Sequence, residues 1–207
     1  MEEGNNKKFW SRYAKLYDFE IERFNRRAYE RMYQLMSESL SSDMDVLEVA
    51  TGTGLIALGI ADSAKSVTAT DFSPGMIARA RKKAIPANVS FSIEDATSLS
   101  FPDARFDAAI ISNALHIMQE PELVLENIKR VLKPGGLLVA PTFSHGRLGQ
   151  STWNLNAKVL RLIGFETYSK WTPEEYVDFV AGNGFDVGRW LVLNAAFPLV
   201  YVEACVS

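Results

Sequence analysis

The chain has 207 residues, 47% of them hydrophobic and 23% charged, with a formal net charge of −3. That length holds one domain and can bury a sizeable core. The two charge signs are mixed along the chain, so bulk charge gives no support to nucleic-acid binding. No apolar run approaches the ~20 residues of a membrane span. The first residues, Met1-Glu2-Glu3-Gly4-Asn5, lack the apolar stretch of a secretory signal, so a cytoplasmic address is the expectation. The single cysteine, Cys205, cannot form an intramolecular disulfide, and its place in the apolar run 199–206 points to a packed core thiol. One cysteine and two separated histidines are too few for a zinc site, so no metal is expected.

Residues 8–40 read as helix: Phe9, Tyr13, Leu16, Phe24, Ala28, Met32 and Leu35 recur at spacings near three and four. Core packing is the ordinary role of such a stripe, although Tyr13 and Tyr17 also suit a cover over a ligand edge. Arg23, Arg26, Arg27 and Arg31 stand among glutamates as a solvated face. A first strand over 45–49 is followed by a glycine-rich turn, a helix ending near Ser63, and a second strand over 67–70. Ser73 then caps a helix with Pro74 at its first position, and Arg79, Arg81, Lys82 and Lys83 near its end face water. Strands over 89–93 and 106–111 follow, the latter a continuous apolar run that suits a central parallel strand. A helix starts at Pro121, Lys133-Pro134-Gly135-Gly136 reads as a turn, and a fifth strand runs 137–143.

From 144 to 170 the pattern changes to an insertion with an amphipathic helix over 153–163. Thr172-Pro173-Glu174-Glu175 forms a capping box, and the helix that it opens closes at Gly182-Asn183-Gly184. Two last strands, 185–193 and 197–206, are joined by three residues, a link that forces an antiparallel hairpin. The expected fold class is α/β, a mixed and mainly parallel sheet with helices on both faces and an N-terminal helical cap.

The chemistry gathers at the carboxyl ends of these strands. Val46 to Asp71 is a strand–turn–helix–strand unit in which two glycines admit a ligand to the backbone and a terminal acid faces ribose hydroxyls. Gly52-Thr53-Gly54-Leu55-Ile56-Ala57 also fits the G-x-G-x-x-[G/A] pattern of dinucleotide oxidoreductases, a match that alone does not discriminate. Glu48 argues against a pyrophosphate, because it would set a negative charge beside it; the same acid suits a ligand with an ammonium and a sulfonium. Asp95, after the third strand, is placed to accept from an adenine amino group. The terminal hairpin lies outside the dinucleotide fold.

With these residues together, the sequence resembles the class I S-adenosylmethionine-dependent methyltransferases, in the ubiquinone/menaquinone-biosynthesis-like, type 11 branch. The resemblance rests on Tyr-Ala-Lys-Leu-Tyr-Asp (13–18), Leu-Glu-Val-Ala-Thr-Gly-Thr-Gly (47–54), Asp-Phe-Ser-Pro-Gly-Met (71–76) and Glu-Asp-Ala (94–96). Phe106-Asp107, Ser112-Asn113-Ala114-Leu115-His116 and Leu132-Lys133-Pro134-Gly135-Gly136 complete it. It covers nearly the whole chain and implies a single Rossmann-like domain. Residues 1–40 would be its cap, 44–143 the cofactor core, 144–170 a substrate-side insertion, and 171–207 the closing helix and hairpin. The implied sheet has seven strands in the order 3-2-1-4-5-7-6, with the seventh antiparallel. The resemblance also implies roles. Glu48 and the backbone of Ala50, Thr51, Gly52 and Gly54 would hold the methionyl part, and Asp71 would take both ribose hydroxyls. Phe72 and Met76 would pack on the adenine, which Asp95 and the Ala96 amide would read. Asn113 and Ala114 would pass near the sulfonium, and Tyr17 would cover it. The family usually has glycine where this chain has Ala50, a substitution that matters if the backbone there needs positive φ.

Methyl transfer is an in-line displacement, and a base is needed only if the acceptor must lose a proton. His116 and His145 each follow a strand that ends at the active edge and are the candidate catalytic residues; Asp18 and Glu166 are weaker candidates. Trp10, Tyr13, His145, Trp153, Leu155 and Phe165 would line an apolar acceptor site, which points to a small organic acceptor and not to nucleic acid. The expected function is therefore methyl transfer from S-adenosylmethionine, with S-adenosylhomocysteine as product. The alternatives are a catalytically silent S-adenosylmethionine-binding regulatory protein and an NAD(P)-dependent oxidoreductase. Neither the acceptor nor the oligomeric state is legible in the sequence.

Overall fold

The computed structural model describes residues 10–11, 18–19, 23, 25–144, 167–195 and 198–207. Helix α1 is Arg26–Ser39, and strand β1 is Asp45–Val49. Then come α2 (Leu55–Gly59), β2 (Ser66–Asp71), α3 (Pro74–Ala80), β3 (Val89–Ile93) and β4 (Phe106–Ile111). Next are α4 (Pro121–Val131), β5 (Leu132–Val139), the short β6 (Thr142–Phe143), α5 (Pro173–Gly182) and the closing pair β7 (Phe185–Leu193) and β8 (Leu199–Val206). The strands form one sheet in the order β3-β2-β1-β4-β5-β8, with β7 on the outer side of β8. β1 to β5 are parallel, and β8 runs antiparallel to both β5 and β7. This is the mixed, mainly parallel α/β sheet expected from the alternation of strands and helices, in the Rossmann-like order that the resemblance implies.

Alternation along each strand builds two cores. Val46 and Ile110 face α1, α2 and α3 through Met32, Leu35, Ile56 and Ile77. Leu47, Ala109 and Ile111 face α4 and α5 through Val124, Ile128, Tyr176 and Val180. Local sequence starts the helices where expected. Ser73 Oγ accepts from the Met76 amide at 3.4 Å, with Pro74 next in line. The α5 capping box is complete: the Glu175 amide donates to Thr172 Oγ1 at 3.3 Å and the Thr172 amide to Glu175 Oε2 at 2.8 Å.

Several expectations change. Within 8–40, read as a short helix and a longer one parted near Tyr17-Asp18, the longer is the 14-residue α1, and residues 10, 11, 18 and 19 are helical as well. The helix after the glycine turn ends at Gly59, and a separate 3₁₀ turn covers Ala61–Ser63. The fifth strand is interrupted at Pro141, which has no amide hydrogen for the ladder; β6 resumes pairing with β8 in the same register, giving eight strands among the described residues where seven were expected. Residues 133–136 lie within β5, where the ladder to β4 slips between Phe106 and Ala108. Cys205 is exposed, not a core thiol: it alternates away from buried Ala204, at the open end of β8.

An irregularity in β7 between Val187 and Arg189 swings Arg189 toward α1. Arg189 Nη2 donates to Glu203 Oε1 at 2.8 Å, as do Ser39 Oγ at 2.8 Å and Tyr201 Oη at 2.7 Å. This shared carboxylate fastens the hairpin to the end of α1.

Candidate functional site

Parallel pairing aligns the carboxyl ends of β3, β2, β1 and β4 side by side, so residues far apart in sequence meet on one edge. The turn after β1 carries Ala50, Gly52 and Gly54 at φ of 55°, 57° and 79°. The position where the family keeps glycine therefore does adopt a left-handed conformation, and here an alanine bears it. Gly54 has a second reason to lack a side chain, because a Cβ there would lie 2.7 Å from the Phe91 ring. The turn is stitched to the next strand by the Thr51 amide, which donates to Thr70 O at 2.8 Å.

Glu48 lies beneath the turn and is 2% exposed. Desolvation pushes its carboxyl up to about 8, partly offset by the Thr51 hydroxyl, which donates to Oε2 at 2.5 Å, and by the Ala57 amide. Asp71 ends β2 and clamps two turns: the Gly52 amide donates to Oδ2 and the Ser73 amide to Oδ1, each at 2.8 Å. Burial raises Asp71 to about 6 despite these two bonds. Each of its oxygens keeps a lone pair for a further donor. Phe72 is half-buried beside it, and Met76 is buried on α3.

After β3, Asp95 is exposed and bends the chain through bonds from the Thr97 amide (2.9 Å) and Thr97 Oγ1 (2.7 Å) to Oδ1; Ala96 is half-buried beside it. After β4, Asn113 takes φ 52°, its amide donates to Pro141 O at 2.8 Å, and its Nδ2 donates to Tyr29 Oη at 3.2 Å. Asn113 Oδ1 and the neighbouring Ser112 Oγ are buried with no hydrogen-bond partner among the described residues, and Ala114 is buried next to them. Buried acceptors at a strand end with no partner among the described residues are open to a further donor. They suit the ammonium-bearing methionyl part of S-adenosylmethionine, and the free lone pairs of Asp71 suit ribose hydroxyls; the residues present fit that cofactor.

His116 is buried, its Nδ1 2.9 Å from Thr142 Oγ1 and its ring edge-on to Phe143. Its carbonyl accepts from the amides of Tyr168 (3.0 Å) and Ser169 (3.1 Å), so it pins the chain where the insertion returns. Trp10 is half-buried, next to Ser11, whose Oγ lies 2.9 Å from Ser73 Oγ. Asp18 is held by Thr53 Oγ1 and by Lys83 Nζ at 3.1 Å, with Arg79 Nε at 3.6 Å, so it is engaged by fixed donors and not poised as a base. Tyr13, Tyr17, His145, Trp153, Leu155, Phe165 and Glu166 lie outside the described residues. Among the described residues no group of three or more His, Cys, Asp or Glu could hold a metal.

Sequence reasoning missed Tyr29 as the partner of Asn113, Thr142 as the partner of His116, and Lys83, which was expected to face water but donates to Asp18 and to Thr53 O. Arg81, read the same way, donates to Phe91 O. These are contacts between distant segments, for which spacing gives no signal.

Residues 47–140 match the family described as a methyltransferase domain. A demethylmenaquinone methyltransferase of Renibacterium salmoninarum is 44% identical over 104 residues, covering 50% of this chain and 43% of that relative. The match thus spans less than half the length of that curated relative. In three dimensions the chain is similar to the methyltransferase solved with the Haloferax volcanii Trm112 methyltransferase activator, with TM-score 0.77 and 17% identity over 95% of this chain and 97% of that one. It is also similar to the [4+2]-cyclase SpnF, with TM-score 0.71 and 23% identity over 87% and 81% of the two chains. At these identities the structural neighbours speak for the fold alone. No helix among the described residues is long and apolar enough to cross a membrane. The glycine turn, the two buried acids and the strand order agree with the match of residues 47–140 to a methyltransferase domain.

Proposed function

We propose that the chain is an S-adenosylmethionine-dependent methyltransferase acting on a small, apolar, quinone-like organic acceptor. The observation that carries this reading is the row of polar groups at the strand ends: the Asp71 carboxylate, Glu48 beneath the turn, and Asn113 Oδ1 and Ser112 Oγ, which have no partner among the described residues. S-Adenosylmethionine supplies a methyl group on a positively charged sulfur. Glu48 and the turn over 50–54 would hold its methionyl part, Asp71 its ribose, Phe72 and Met76 one face of the adenine, and Asp95 with the Ala96 amide the adenine edge. Asn113 and Ala114 would floor the site beneath the reacting atoms. The chain's contribution is to align acceptor and methyl and to exclude water. His116 is a positioning residue in this reading, since its ring and carbonyl bind the edge loop to Thr142 and to residues 168–169. His145 remains the proposed base for an acceptor that must lose a proton.

The quinone-like acceptor draws on the demethylmenaquinone relative and on the apolar side chains expected around the acceptor. Incubating the protein with S-adenosylmethionine and a panel of naphthoquinols, catechols and phenols, and measuring S-adenosylhomocysteine release, tests it. Methylation of a hydroxylated aromatic is expected; turnover only with amines or polymers would contradict it. A second reading, a protein that binds S-adenosylmethionine without methyl transfer, fits the same polar groups at the strand ends, which would hold the cofactor whether or not an acceptor is methylated. It predicts tight S-adenosylhomocysteine binding with no turnover across the panel.

A further inference from the structure

The polar cluster around Asp18 lies outside the roles assigned above. Asp18 precedes β1 by 27 residues, yet its side chain is only 14% exposed and reaches the glycine turn. Thr53, which it engages, is fully buried and stands between Gly52 and Gly54, the two glycines of the turn with positive φ. Lys83, just beyond α3, donates at once to Asp18 (3.1 Å) and to the Thr53 carbonyl (2.9 Å), and Arg79 approaches the same carboxylate. One carboxylate therefore ties the side chain and, through Lys83, the carbonyl of the residue at the centre of the turn. Lys83 is only 23% exposed, so this bond is less screened than a surface ion pair.

A second fastening lies nearby. Ser11 Oγ meets Ser73 Oγ at 2.9 Å, and a Cβ on Gly75 would come within 2.6 Å of the Ser11 backbone. Chain preceding β1 thus touches both ligand-edge turns, through Asp18 on one and Ser11 on the other. A turn flanked by two glycines is costly to order, and a ligand that must order it binds more weakly than one that meets it already formed.

We propose that Asp18 is a positioning residue for the cofactor site, holding the turn over 52–54 in its binding shape through Thr53 and Lys83. This rests on the cofactor reading above. The test is calorimetric titration of S-adenosylhomocysteine into wild type, Asp18→Asn, Lys83→Met and the double variant, with amide hydrogen exchange of residues 49–54 in the ligand-free proteins. Each single variant is expected to bind about tenfold more weakly, as for loss of one charged hydrogen bond. The double variant should bind little more weakly than either, because both act through one unit. Exchange in the turn should rise while the melting temperature stays near that of wild type. Lys83→Met, which cuts the tie between Asp18 and the Thr53 carbonyl while leaving Asp18 in place, serves if Asp18→Asn fails to fold. Wild-type affinity and exchange in Asp18→Asn would overturn the proposal, as would losses that simply add. Failure of wild type to bind the ligand would instead overturn the cofactor reading, and this proposal with it.

Discussion

Glu48 and Asp71 are buried acids whose charge is held back by the fold, and that makes ligand binding depend on protons. Asp71, raised to about 6, is largely protonated in the ligand-free protein below that pH, whereas accepting from two ribose hydroxyls with both oxygens needs the ionised carboxylate. S-Adenosylhomocysteine affinity should therefore fall as pH drops below 6, and Asp71→Asn should flatten the profile while weakening binding by about 2 kcal/mol, measured by calorimetry. Glu48, raised to about 8, is largely neutral at pH 7 in the free protein. Because its folded value lies above its unfolded one, ionising it opposes folding: stability declines as pH rises from the ordinary carboxylate range through about 8. Glu48→Gln should remove that decline in urea unfolding measured between pH 5 and 9. If the ammonium of the ligand favours the carboxylate, wild type should also release a proton on binding near neutral pH and Glu48→Gln should not.

At the level of elements, the glycine turn ranks its own positions. Gly54 has both a positive φ and the Phe91 ring against it, so Gly54→Ala should cost roughly 2–3 kcal/mol in stability. Ala50 sits at φ 55° with only a conformational cost, so Ala50→Gly should change stability by less than about 1 kcal/mol, relief of strain being offset by a more flexible unfolded chain. Thermal unfolding of the two variants checks this order. The turn shows where sequence suffices: strand, glycine spacing and terminal acid are local signals, and so are the Ser73 and Thr172 caps and the hairpin link. It also shows where sequence stops. The double duty of Asp71, a ribose acceptor that also clamps the amides of Gly52 and Ser73, depends on two turns meeting in space. Pro141 stands inside the strand expected over 137–143, and its effect, a break that splits off β6, depends on its position opposite β8.

Across the whole molecule, the sheet order places the site at one edge, and the closing hairpin holds the far side. Glu203, buried and shared by Arg189, Tyr201 and Ser39, joins β8 to α1; Glu203→Ala should cost about 2 kcal/mol in urea unfolding, because it leaves the buried Tyr201 hydroxyl unpaired and releases Arg189 and Ser39. Legibility at this scale was uneven for a physical reason. Periodic apolar patterns report which face of an element is buried, so the two-sided core was readable, but they carry no information on polar pairs between distant elements. Thus Glu203 passed as one residue of an apolar strand, and Cys205 passed as a core thiol although its face of β8 is open at that end. The central claim, that the carboxyl ends of β1 to β4 bind a sulfonium nucleoside, is tested most directly by calorimetric titration of wild type with S-adenosylhomocysteine and, separately, with NAD(H) and NADP(H). One site for S-adenosylhomocysteine and none for the dinucleotides is the expected result; dinucleotide binding without S-adenosylhomocysteine binding would contradict it.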